Sequence, residues 1–571
     1  MYKKILAAMF CVAGVTPHLF ADVVPNPDSG KQRIMAIMSN PETGIAAYNK
    51  KHIHYAETQN LAADLNVPEI AKFFGCKTLV GEAFLTETLS CPVAPQDRDT
   101  VLRDRQNAVR ALVENPELKT EVEALLERAH SEEQDVIALF SEQFVGKTCP
   151  ELQQLELIKK QNPGLYPIFN FFHTNSTGNM VGTAYNMAAV GFSVYALRLF
   201  GRLTYTFAKM KLPYGRFASM TAQMGLVGGI CSYKLYKNYS TAAQKRAKLH
   251  ALNQMVTIAE NFEKLCTKHG IKNQFNLSEI KDPQGVALVK GLQHARYQGK
   301  NTWFFAEPLV HSFLYEVYQG QAHFAEVFAC IAEIDTYHAM ATKILESKNS
   351  KDKFCFVNFV DQAKPLVKTQ GFWNVLVKDA VPSDLCESKH IILTGPNAGG
   401  KTTAIRALLQ NIVLGQSYGV AAATTFEFTM FDIVHSYLNI SDDISKKLSL
   451  FASEVKRAQD VLQRMKTLAP GTKYFFALDE LFTGTVAEDG EKCAYEFVKR
   501  IADFPDVQFV YATHFNKLKE LGNNSPVCAN YKVDAPTKNA AGKLVYPYTL
   551  SQGANQSNVA LDLAREAKLF A

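Results

Sequence analysis

The sequence predicts two architectures in one chain: an α/β domain with a glycine-rich, phosphate-binding turn towards the C-terminus, and a mostly α-helical region before it. Three observations carry this prediction. Ile391-Ile392-Leu393-Thr394-Gly395-Pro396-Asn397-Ala398-Gly399-Gly400-Lys401-Thr402-Thr403 passes from an apolar, strand-like run through glycines into a helix-like segment, Thr403 to Val413. Two later apolar runs, Tyr474 to Asp479 and Val507 to Ala512, read as buried parallel strands, and each ends at polar residues. Upstream, Asp97 to Glu132 keeps helical spacing, with no strong turn signal before Asn115-Pro116. At 571 residues, 47% of them hydrophobic, the chain can bury two or three cores.

The elements follow in chain order. Lys3-Lys4 precede an apolar run, Ile5 to Val15, and a tail ending at Ala21. A basic start, a short apolar core and a small residue at the cleavage point predict a signal peptide over 1–21, too short to span a bilayer. Export or secretion would follow from it; a cytoplasmic chain would follow from its failure. Pro25-Asn26-Pro27-Asp28-Ser29-Gly30 then reads as a flexible start to an N-terminal segment, 22–75. The helical region is expected over 76–350. Within it lies an apolar hairpin, 178–236. Met180 to Leu197 and Phe217 to Tyr233 carry no charged residue, and small residues such as Gly182, Ala188, Gly225 and Gly228 recur. Each run just reaches the length of a membrane-spanning helix, and small residues suit close helix packing in lipid. Membrane contact through 180–233 and a buried hairpin or oligomer contact both fit this pattern.

The C-terminal domain is expected over 355–571. Its glycine-rich run fits G-x-x-x-x-G-K-[ST], bounded by Gly395 and Lys401-Thr402, in the strand–turn–helix context that a P-loop requires. Glycines let backbone N–H groups converge on phosphate, and the following helix N-terminus adds partial positive charge. The predicted ATP-binding set is Gly395, Pro396, Asn397, Ala398, Gly399, Gly400, Lys401, Thr402 and Thr403. Lys401 would reach the β- and γ-phosphates, and the Thr402 hydroxyl would bind Mg²⁺. Asp479 and Glu480 stand at the carboxyl end of a predicted strand, where α/β sheets bind ligands. Asp479 is the second predicted Mg²⁺ ligand, and Glu480 the general base for water. Thr513-His514 closes the next strand, where His514 could sense a γ-phosphate.

Taken together, these residues resemble the MutS family of DNA mismatch repair ATPases. The family's phosphate loop reads G-P-N-x-x-G-K-S/T, and Asn397 is its distinguishing letter. Gly415 to Ala421, Ser441-Asp442-Asp443, Ser449-Leu450-Phe451 with Glu454, Asp479-Glu480-Leu481 with Gly484-Thr485 and Asp489-Gly490, Thr513-His514, and Tyr548 to Ala564 match further family segments in order. Arg105 to Leu112 resembles the family's R-Q-x-A-V-x-x-L core opening, and Ala325 to Ala341 the helix that closes that region. The resemblance implies an α/β P-loop NTPase, the ABC-like MutS ATPase domain, preceded by a mostly α-helical core/lever domain. It implies ATP and Mg²⁺ as cofactors and a homodimer in which the Ser449 loop of one subunit completes the other's site. It also implies duplex DNA as a partner. Two departures bear on turnover and coupling: Thr483 stands where the family commonly has Arg, and Leu450 replaces a hydroxyl.

Other features narrow the reading. The stretch between Ala21 and Arg105 is too short for both a mismatch-reading and a connector domain, so the duplex would be gripped without mismatches being read. The eleven cysteines are scattered, with no C-x-x-C to suggest zinc. A net charge of +6 permits contact with nucleic acid or anionic lipid and requires neither. The first expectation is a DNA-binding, mismatch-repair-related ATPase. The alternatives are a membrane-associated mechanochemical ATPase, in which the hairpin replaces a DNA clamp, and a nucleotide-gated scaffold with little turnover.

Overall fold

The computed structural model describes residues 55–140, 202, 243–275, 277, 282–294, 307–396, 399–438, 450–538 and 544–555. The signal-peptide reading at 1–21, the hairpin at 178–236 apart from Arg202, and Asn397, Ala398 and Ser449 lie outside them. The chain divides into two compact units. The first, Met1–Ile34 and Ile137–Cys231, contributes only 137–140 and 202 to the described residues. The second, Met35–Val136 and Ser232–Ala571, holds all the others. Among the described residues no helix is long and apolar enough to cross a membrane.

The second unit opens with a short strand, β1 (Glu57–Gln59), followed by helices α1 (Leu79–Ser90) and α2 (Arg103–Glu114). The long helix α3 (Ala325–Ser347) packs against both and is buried along most of its length. Its apolar residues Val327, Phe328, Ile331 and Met340 supply the core. Its acids Glu333 and Asp335 are buried too, and both accept hydrogen bonds, as burial of a charge demands. Asp335 accepts from the Lys77 and Thr78 backbone N–H groups at 2.9 and 2.8 Å and from the Thr78 hydroxyl at 2.7 Å. Thr78 in turn caps α1 by accepting from Gly81 N–H, while Glu133 accepts from the Leu79 and Val80 amides. Gly81 has to be glycine: a Cβ there would lie 2.3 Å from an Asp335 carboxylate oxygen.

The sheet-bearing part contains β2 (His390–Thr394), α4 (Lys401–Tyr418), β3 (Ile433–Tyr437), α5 (Leu450–Thr467), β4 (Tyr474–Asp479), α6 (Ala487–Ile501), β5 (Val507–Ala512), α7 (Asn516–Asn524), β6 (Cys528–Val533) and β7 (Leu550–Gln552). Seven strands form one sheet in the order β1-β3-β4-β5-β2-β6-β7. All neighbours run parallel except β7, which is antiparallel to β6. Every residue of β2, β3 and β5 is buried, the pattern of strands covered on both faces. Phe476, Leu478, Phe509 and Tyr511 pack with Val498 and Ile501 of α6 in the central core. β1 completes the far edge, pairing Glu57 with Ile433. A smaller four-stranded sheet, built from Asn358–Phe359, Thr425–Phe428, Val367–Phe372 and Ser383–Glu387, accompanies it.

Candidate functional site

Parallel pairing decides which side chains meet. Leu393 of β2 pairs with Ala512 of β5, which pairs with Asp479 of β4. The residues that follow emerge side by side at the carboxyl edge: Gly395 after β2, His514 after β5 and Glu480 after β4. An open α/β sheet binds ligands in this crevice.

Lys401 is the hub. It opens α4, and its side chain is 5% exposed. Its Nζ donates to the carbonyl oxygens of Gly395 and Pro396, at 3.1 and 3.3 Å. It also lies 3.3 Å from Glu480 Oε1 and 3.0 Å from His514 Nε2. His514 Nε2 is 2.7 Å from the same Glu480 oxygen. One ring nitrogen cannot both donate to Glu480 and accept from Lys401. The shorter contact, to a charged acceptor, favours a proton on Nε2, leaving Lys401 to the two carbonyls and the carboxylate. The hydrogen bond from His514, followed by the Lys401 charge, holds Glu480 down to about 2, against the pull of its own burial.

Asp479 behaves oppositely. Burial raises its pKa, opposed by the Thr402 hydrogen bond. Thr402 Oγ1 donates to Asp479 Oδ2 at 2.5 Å, while the buried Asp479 Oδ1 has no hydrogen-bond partner among the described residues. A carboxylate oxygen left without a donor beside a hydroxyl suits a hard divalent cation. Among the described residues no group of three or more His, Cys, Asp or Glu side chains forms a complete metal cage.

The turn between β2 and α4 is shaped for close approach. Gly400 has φ of 101°, a left-handed conformation that favours glycine, and a Cβ there would meet the Tyr548 ring at 3.3 Å. A Cβ on Gly399 would lie 2.9 Å from the Pro396 ring and its carbonyl oxygen. Beside this turn opens a cavity of about 400 Å³, lined by Gly400, Thr403, Phe372, Trp373, Val381 and Tyr548 among others. Tyr548 stacks on Tyr546 with ring centroids 5.7 Å apart.

The structure thus brings together Gly395, Pro396, Gly399, Gly400, Lys401, Thr402, Thr403, Asp479, Glu480 and His514. Asn397, Ala398 and Ser449 fall outside the described residues. Sequence reasoning missed the cavity wall. Phe372, Trp373 and Tyr548 come from segments far apart in the chain, and no local pattern marks them as neighbours.

Residues 391–570 match the family model described as MutS domain V. The chain is 28% identical over 186 residues to the DNA mismatch repair protein MutS of Caldicellulosiruptor bescii, covering 32% of this chain and 21% of that protein. It is 22% identical over 322 residues to MutS of Rickettsia massiliae, covering 52% and 34%. The DNA mismatch repair protein Msh3 of Dictyostelium discoideum is 29% identical over 192 residues, covering 32% and 13%. In each case the match spans about a third or less of the relative's length.

Proposed function

We propose that this member of the MutS family binds and hydrolyses ATP with Mg²⁺ on a P-loop NTPase fold, and couples that cycle to duplex DNA as a homodimer. The convergence of Lys401, His514 and Glu480 at the edge of the sheet, beside the Thr402–Asp479 pair, carries this reading.

Each residue has a derivable task. Lys401 is held by two neutral carbonyls, and a phosphate oxygen is a stronger, charged acceptor for the same protons. Engaging phosphate draws Lys401 away from Glu480 and strips the carboxylate of one of its two cationic or donor partners. Glu480 can then accept a proton from water as the water oxygen attacks the γ-phosphorus and the bond to the leaving ADP oxygen breaks. His514 steadies Glu480 and would read the terminal phosphate. The cavity beside Gly400 and Thr403, walled in part by Phe372, Trp373 and Tyr548, would take the purine and its ribose. Thr402 and Asp479 would hold Mg²⁺, which supplies charge neutralisation across the phosphates.

Duplex DNA is proposed because the relatives are DNA mismatch repair proteins, and the net charge of +6 is compatible with phosphate contacts. The Ser449 segment would complete a composite site in the dimer. The test uses the full chain: ATP turnover, and binding of matched and mismatched duplex across a salt series, with Lys401→Ala as control. Turnover lost in Lys401→Ala, with DNA binding that weakens steeply as salt rises, is expected. Unchanged turnover in Lys401→Ala would remove this site from the mechanism. No duplex binding even at low salt would show that the ATPase works on another load.

A further inference from the structure

The loop that carries Glu480 is gripped from beneath by another acid. Glu454, in α5, is buried to 1% exposure. Its Oε1 accepts the Thr483 backbone N–H at 3.0 Å, and its Oε2 accepts the Gly484 N–H at 3.1 Å. The Thr483 hydroxyl lies 3.4 Å from Glu454 Oε1 and donates to the Glu480 carbonyl oxygen at 3.1 Å. A carboxylate buried this deeply needs donors, and these come from the backbone of residues 483 and 484. That arrangement ties α5 to the loop.

The loop needs such a tie. Glu480 and Phe482 both have left-handed backbone angles, φ of 50° and 71°. Non-glycine residues hold these angles only where surrounding contacts enforce them. The Glu480 N–H is fixed to the Ala512 carbonyl, and Tyr511 Oη donates to the Leu481 carbonyl at 2.9 Å. These contacts fix the front of the loop, and Glu454 fixes its back. Gly484 sits so close to α5 that a Cβ would meet Phe451 N at 2.8 Å and Glu454 Oε2 at 3.0 Å.

We propose that Glu454 is a positioning residue for hydrolysis: by gripping Thr483 and Gly484 it holds Glu480 in the left-handed conformation that presents its carboxylate to His514 and Lys401. The inference rests on the ATPase reading of the site. It also gives Thr483 a role in this chain, since its hydroxyl bridges the grip to the Glu480 backbone.

Glu454→Gln tests this with almost no change in shape. The amide keeps one acceptor and turns an NH₂ towards a backbone N–H, so half the grip is lost. Turnover at saturating ATP should fall at least tenfold, while the Kd for ATP, measured with a fluorescent analogue, stays within twofold. A purely structural role would leave the split between kcat and Kd unmoved. Gly484→Ala attacks the same grip from the loop side and should give the same pattern. Should Glu454→Gln fail to fold, Glu454→Asp, which keeps the charge but shortens the reach, carries the same expectation. Turnover in a folded Glu454 variant within threefold of the parent overturns the inference. Absence of turnover in the parent chain itself would instead overturn the ATPase reading.

Discussion

Replacing Glu480 by Gln separates chemistry from stability, and the structure sets the size of both effects. The substitution keeps the shape of the side chain but removes its charge and its capacity to take a proton. Loss of a positioned general base costs roughly 10²–10⁴ in rate, or about 3–5 kcal/mol of barrier. The contacts expected to hold ATP, from Lys401, Thr402 and the Gly400 turn, do not include Glu480, so affinity should be retained. On stability, the carboxylate is held down to about 2 from its ordinary 4.5. That lowering corresponds to a ceiling of about 3.4 kcal/mol. Because 38% of the side chain is exposed, solvent screening reduces this to about 1 kcal/mol. The sign follows from the depressed value: the contribution is present above the ordinary carboxylate range and fades as pH falls towards 2. Phosphate release under single-turnover conditions, ATP retention after gel filtration, and urea unfolding at pH 7 measure the three quantities. The variant should keep its ATP, lose turnover by at least a hundredfold and unfold at nearly the parental urea concentration. Turnover within threefold of the parent would refute the assignment of Glu480 as the base.

Two further predictions concern the fold. His390 and His435 are buried, and burial lowers both to about 4. Each therefore contributes stability that is full above the unfolded value near 6.5 and is lost as pH falls towards 4. Between pH 7.5 and 5.5 the pair should cost about 3 kcal/mol; an unfolding free energy that stays flat over this interval would show that neither is held neutral. Arg105 is buried, donating to the Ser417 carbonyl at 3.1 Å and to Gln274 Oε1 at 3.3 Å, with its guanidinium 5.8 Å from the Tyr418 ring centroid. Arg105→Met leaves these acceptors without a donor and should destabilise the fold by about 2–4 kcal/mol in urea unfolding; a loss below about 0.5 kcal/mol would mean that the buried guanidinium is not holding α4.

What could be read in the sequence follows a physical divide. The strand ends bearing Asp479, Glu480, Thr513 and His514 are legible because buried parallel strands are continuous apolar runs and the polar break marks where they surface. The turn from Gly395 to Thr402 is legible because its glycine spacing is dictated by close approach. β1 is not legible. Glu57-Thr58-Gln59 has no apolar pattern, and it becomes a strand only by pairing with Ile433 to His435. The same holds for the small sheet around Val367–Phe372, whose alternation is broken by the irregular pairing between Thr369 and Phe372. The roles of Glu454 and Tyr548 are also hidden, since each depends on a residue brought close only by folding: Gly484 for one, Gly400 for the other.

The position of α4 links the site to the helical region. Its first residues are Lys401 and Thr402, at the glycine-rich turn. Its last turn is clasped by residues from the N-terminal half of the chain. Gln416 donates to the Val93 carbonyl at 3.0 Å and accepts the Val93 N–H on its own carbonyl at 2.9 Å. The Ser417 hydroxyl donates to the Thr88 carbonyl in α1, Arg105 of α2 donates to the Ser417 carbonyl, and Gln106 donates to the Gly419 carbonyl at 2.8 Å. These are directional bonds to main-chain atoms, and they cannot slide as apolar packing can. Between the two ends runs an uninterrupted helix with its own backbone hydrogen bonds intact and no proline to bend it. A displacement at the Lys401 end must therefore carry α1 and α2 with it or break this set of bonds. For the same reason Arg105, far from Lys401 along α4, belongs to any account of how a nucleotide could move the helical region.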